Sequence, residues 1–201
     1  MPAAADGLLS ERRRLAAVSS VVNVVAHHVD DLIQIRAEEL PGWLTELDVP
    51  AGWRTARLEN SAVEPARIAV CGQQPDGGWD GCETISVFGF TGIPPEDVVR
   101  NNADCTLRDL DAVDVTIHVL NTPPLSGVTA VRSSGYFGTA GLWVWAQYST
   151  YVAGSEEPGQ GRLIQHAVFI ESGCQARLGG DISQLSDAIH QAFCTELGDP
   201  R

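Results

Sequence analysis

Between Leu15 and Leu32 apolar residues return at spacings of 3, 4, 3, 4 and 3, through Leu15, Val18, Val22, Val25, Val29 and Leu32. That is the seam of an amphipathic helix. It predicts one long helix from about Leu8 or Ser10 to Glu39, with Ser10 as N-cap and Pro41-Gly42 as its stop. From Val49 onward the pattern changes to short strands separated by glycine and proline. Strands are expected near 54–58, 67–71 and 82–90, the last two flanking the loop GQQPDGGWDG. Pro94-Pro95-Glu96-Asp97 then opens a helix running to about Leu110. In the next strand Val113, Val115, Ile117 and Val119 alternate with Asp114, Thr116 and His118, which predicts one buried and one wet face. Strands near 127–137, 142–152 and 162–170 follow. Asp181 and Gln184, in capping-box spacing, start a last helix with the stripe Ile182, Leu185, Ile189 and Phe193.

The order is helix, three strands, helix, four strands, helix. Strands linked as meanders imply an α+β fold, an antiparallel sheet with helices packed on it. The expected organisation is an amphipathic helical segment over 1–45 and a sandwich domain over 46–201. The long seam must be covered, either by this chain's own sheet or by another chain.

The stretch GLWVWAQYSTYVAG (141–154) sets Trp143, Trp145 and Tyr151 on one parity of a strand, with apolar residues on the other as well. Both faces want burial or a partner. The strand is expected to be central, with one aromatic row under a helix. His166 shares the parity of Ile164, Val168 and Ile170, which predicts a core-edge imidazole with a hydrogen bond. Trp143, Trp145, Tyr151 and His166 together form the candidate binding surface.

Charge narrows the partners. Thirteen basic against 26 acidic side chains give a formal net charge of −13, which disfavours nucleic acid and anionic membrane surfaces. Every basic residue is arginine. The five cysteines cannot all pair within one chain, and no C-x-x-C occurs. A Cys71–Cys82 bridge across the hairpin loop is the candidate disulfide, Cys174–Cys194 a weaker one, and buried free thiols are the competing reading. Arg12–Arg14 before LAAVSSVVNVVA make a poor signal segment, so the cytoplasm is favoured over the cell envelope.

The opening Val49-Pro50-Ala51-Gly52-Trp53 and the helix entry from Thr91 to Asp97 carry a family resemblance. So do the turn from Asn121 to Gly127, the strand from Gly141 to Tyr151, Leu163 to Ile170, and the terminal helix. Over about Val49 to Leu197 the chain resembles the actinobacterial LpqN/LpqT lipoproteins, which share the Mog1/PsbP-like α/β/α sandwich. The resemblance implies a non-enzymatic module of the kind used for protein binding and assembly. It transfers no catalytic residues. The chain departs from that pattern in lacking an acceptor cysteine and in carrying the N-terminal seam, which suggests docking through Leu15, Val18, Val22, Val25, Val29 and Leu32.

Chemistry-bearing groups are sparse. His27 and Asp31 would share a helix face at metal-ligand spacing, but no second element supplies further ligands, so no metal is expected. No G-x-S-x-G, H-E-x-x-H or Lys-ended phosphate loop is present. An enzyme would have to combine Cys105 with His118 or His166, or use the acidic group Asp104, Asp109, Asp111 and Asp114. The expected function is therefore non-enzymatic protein binding or scaffolding, through a protein partner or self-association, with no cofactor. A carrier of a small apolar, lipid-like ligand between sheet and helices is the alternative.

Overall fold

Eight antiparallel strands form one sheet in the computed structural model, which describes residues 19–56, 65–74, 78–139 and 141–198. The strands are β1 (Asp30–Gln34), β2 (Trp53–Ala56), β3 (Arg67–Gln73), β4 (Trp79–Thr91), β5 (Val113–Val119), β6 (Val128–Thr139), β7 (Leu142–Ala153) and β8 (Gly161–Glu171). The path runs β2-β3-β4-β8-β7-β6-β5, with β1 also paired to β4. Helices flank both faces. α1 (Val21–Val25), α3 (Glu96–Asn101) and α4 (Cys105–Asp109) lie on one face. The one-turn α2 (Gly42–Thr45) and the long α5 (Gln175–Gly198) lie on the other.

The sheet-and-helix architecture expected from the alternation is present, but its long helix is C-terminal. The single helix expected to reach Glu39 is replaced, from residue 19 on, by separate elements. Ser20 caps α1 reciprocally: its hydroxyl accepts from the Asn23 main-chain N–H, and the Asn23 side-chain Oδ1 accepts from the Ser20 N–H. The helix ends by Ala26, and Asp31 adopts φ 54°, which no α-helix accommodates. An open sheet edge favours the strand. The valine-rich run Val21–Val25 is itself the helix α1, but the 88–91 end of β4 extends past β3, whose register stops at Arg67↔Ile85. β1 occupies that edge with Asp30↔Thr91 and Gln34↔Phe88. Thus part of 1–45 is built into the same sheet as 46–201. Val22 and Val25 are core residues, and Val29 and Leu32 pack against them. Leu15 and Val18 lie outside the described residues.

Two other helix expectations need correction. The helix expected up to Leu110 is two short ones, because the Asn102 side chain donates to the Val98 carbonyl and closes α3. The last helix begins at Gln175, after a 3₁₀ turn at Ser172–Cys174, so Asp181 is an interior residue. Its carboxylate accepts a hydrogen bond from the Trp53 indole at 2.9 Å instead of capping.

Candidate functional site

A cavity of about 410 Å³ lies between the sheet and the C-terminal turns of α5. Val87 of β4, Ile164 of β8 and Ala153 of β7 form the sheet wall; Phe193 and Leu197 come from α5, and Trp43 and Leu44 from α2. The Pro41-Gly42 stop produces this geometry: it turns the chain into one helical turn that sets Leu44 against the sheet core. Gln160, Arg162 and Glu196 supply the polar part of the lining. Arg162 Nη1 donates only to main-chain carbonyls, those of Gly159 and Gly161. Its charge therefore has no carboxylate partner among the described residues. An apolar chamber with a few polar groups is the usual form of a small-molecule site.

Beside the cavity, the same face of the sheet carries a buried polar network. Arg67 grips Glu83 with two bonds, Nε to Oε2 at 3.0 Å and Nη2 to Oε1 at 2.9 Å, while His166 Nε2 lies 3.1 Å from Oε1. Arg67 Nη1 also donates to the Leu47 carbonyl at 2.6 Å, tying the chain ahead of β2 to the sheet. Burial pushes the Glu83 carboxyl up, but His166 and Arg67 outweigh it and hold the group below the ordinary glutamate range. Farther along, the Gln147 amide donates to the Ser186 hydroxyl and Arg132 Nη2 to the Ser186 carbonyl, so α5 is attached by polar contacts as well as apolar ones. Tyr151 lies against Phe193 and His190, with ring centroids 5.1 and 5.9 Å apart. Its hydroxyl sits beside Arg132 and Ser149 without a hydrogen bond of full geometry to either, and burial raises its pKa.

No family model matches the sequence, and no curated protein does. Among solved structures, the crystal structure of LpqN, described as involved in cell envelope biogenesis of Mycobacterium tuberculosis, superposes with a TM-score of 0.60. The fold is LpqN-like. The match covers 80% of this chain and 90% of LpqN at 17% sequence identity, so the likeness speaks to fold alone.

On this LpqN-like frame the four surface candidates do not form a surface. Trp143 is 49% exposed near the β6–β7 turn, Trp145 is 9% exposed under α5, and Tyr151 and His166 are fully buried. Alternation places Trp145, Tyr151 and His166 on the α5 face, where a helix covers them. The cavity residues that sequence reasoning missed, Val87, Phe193, Trp43 and Arg162, come from four separate elements. The only local signal was the Trp43-Leu44 pair immediately after the helix stop.

Cys71 and Cys82 are free. Cys71 is opposite Gly81 and faces α5, so Cys82, one residue on, points through the other face of the sheet and the proposed bridge cannot close. Burial lifts each thiol to about 11, which keeps it protonated. Cys174 and Cys194 are also free, near opposite ends of α5. His27 and Asp31 share no helix face, because residues 26–29 form a turn. Asp80, Glu171 and Cys174 place ligand atoms within 4.8 Å of one another. Gln74 already bridges the two carboxylates and Arg177 pairs with Asp80. Cys105 is buried among the α1 and α3 side chains, whereas His118 and His166 are on the opposite face, so no thiol–imidazole pair forms between them. Among the described residues, no helix is long and apolar enough to cross a membrane.

Proposed function

We propose that this protein is a non-enzymatic binding module that holds one small, mainly apolar molecule between its sheet and its C-terminal helix. The cavity of about 410 Å³ carries the reading, being within the ~300–1,000 Å³ usual for small-molecule sites. The ligand expected is an amphiphile whose apolar part lies along Val87, Ile164 and Phe193 and whose polar end meets Arg162 and Gln160. The separation of Cys105 from His118 and His166 supports binding over catalysis. A role beside the cell envelope is suggested by the likeness to LpqN.

The test is saturable binding of N-phenyl-1-naphthylamine, a neutral fluorescent apolar probe, followed by displacement with dodecanoic acid. Ala153→Phe fills the chamber from its wall and is expected to abolish probe binding while leaving the circular dichroism unchanged. Arg162→Gln is expected to weaken dodecanoic acid and leave the uncharged probe unaffected. A protein that binds neither molecule removes the reading.

A protein partner is the second reading, and β5 favours it. This strand, the last of the path among the described residues, exposes Ile117 and Val119, at 47% and 57%, which suits addition of a strand from another chain. Ile117→Lys would abolish such pairing, and light scattering or partner capture from the native host before and after the change decides it.

A further inference from the structure

His190 precedes Phe193, a wall of the chamber, by about one turn of α5. Both rings lie against Tyr151 of β7, with centroids 5.9 and 5.1 Å from it, so one side chain of the sheet holds the helix at both positions. The Cys194 thiol donates to the Asn121 carbonyl at 3.7 Å, which leaves its sulfur facing His190 Nε2 at 3.9 Å. The neutral tautomer that suits this contact carries its proton on Nε2. Nδ1 then presents a lone pair that is buried and has no hydrogen bond.

A second proton is poorly accommodated there. On Nδ1 it would be a buried donor without an acceptor, and a charged one. Arg132 of β6 adds a like charge: its guanidinium bonds the Ser149 hydroxyl and the Ser186 carbonyl, and no carboxylate among the described residues pairs with it. The other titratable groups around His190 are Tyr151 of β7 and Cys194 of α5, both kept neutral by burial, and Asp187 of α5. His118 of β5 lies opposite Arg132 in the register. Burial and Arg132 outweigh Asp187 and hold the imidazole below the ordinary value of 6.5.

We propose that His190 makes ligand release acid-driven: the chamber holds its ligand while His190 is neutral, and protonation of the imidazole loosens the last turns of α5 from Tyr151 and lets the ligand go. This rests on the small-molecule reading of the chamber. An imidazolium must leave Tyr151 and Arg132 to reach water. Ile189 and Phe193 are buried in one cluster with Tyr151, so the displacement is felt at the Phe193 wall. The sign follows from the depressed value. The closed state is fully favoured above 6.5, and that advantage is lost as pH falls through the lower folded value. One proton changes the apparent affinity by at most about tenfold per pH unit.

The experiment titrates the full-length protein with N-phenyl-1-naphthylamine at about pH 7.5 and about pH 5.5, either side of the ordinary histidine value. The probe is uncharged at both, and Glu83 stays ionised. Expected is a loss of affinity of about threefold or more on acidification of the wild type, and none in His190→Gln, which cannot take the proton. Reciprocity requires the bound probe to lower the His190 pKa in turn, read from the imidazole NMR resonances of the wild type, so the test does not depend on the variant folding. Equal affinity at the two pH values, an equal loss in His190→Gln, or a His190 pKa unmoved by the probe overturns acid release alone. Absence of binding at the higher pH removes the ligand reading, and acid release with it.

Discussion

Glu83 is the residue on which the interior of the α5 face depends most. It is fully buried, and its charge is balanced by Arg67 and bonded by His166. Removing one partner of a buried ion pair strands the other charge and costs about 3–5 kcal/mol. Glu83→Ala is therefore expected to lose about that much in urea unfolding, far more than an exposed change such as Glu96→Ala. The pH dependence follows from the sign of the shift. The folded pKa is depressed, so the contribution is fully present above the ordinary value of 4.5 and is lost as pH falls through the lower folded value. The wild-type melting temperature should fall as pH drops below about 4.5, and Glu83→Gln should lose that part of the slope. At the same scale, Cys71 and Cys82 should remain unlinked after treatment with a mild oxidant, as read by non-reducing peptide mapping. A recovered Cys71–Cys82 peptide would contradict the opposite-face geometry. His166 as a hydrogen-bonded core group could be read from strand parity. Glu83 and Arg67 could not, because a charged residue alternating in a strand looks like a solvated one until the register of β3, β4 and β8 is known.

At the scale of elements, period-two alternation found β2 through β8 to within a few residues, and the strand 113–119 to the residue. Alternation gave no information about position in the sheet. β5 was expected to bury Val113, Ile117 and Val119, yet as the last strand of the path it leaves them about half exposed. Ile117→Lys should therefore change stability by less than about 0.5 kcal/mol; a large loss would show that this face is covered. The valine seam misled for a related reason. The helical spacing runs on to Leu32, but only Val21–Val25 is helical, and the free end of β4 decided in favour of a strand after residue 29. Ser20 then carries the boundary, and Ser20→Ala is expected to cost about 0.5–2 kcal/mol through loss of the α1 cap.

For the whole molecule, one sheet separates two differently built layers. On one side α5 and α2 bury Trp145, Tyr151 and His166 and leave a chamber at the far end of α5; on the other, the helices among the described residues are the short α1, α3 and α4. The antiparallel sandwich was legible from strand order and turn chemistry, and the LpqN-like superposition agrees with it. The chamber was not legible, since it exists only where residues from β4, β7, β8, α2 and α5 fail to meet. The aromatic strand that dominates the sequence serves mainly as core, and the proposed activity belongs to the gap beside it. Titration of the full-length protein with N-phenyl-1-naphthylamine, run in parallel on Ala153→Phe, tests this most directly. The account predicts saturable one-to-one binding by the wild type and none by the variant. Absence of binding to the wild type, or equal binding by the two proteins, would contradict it.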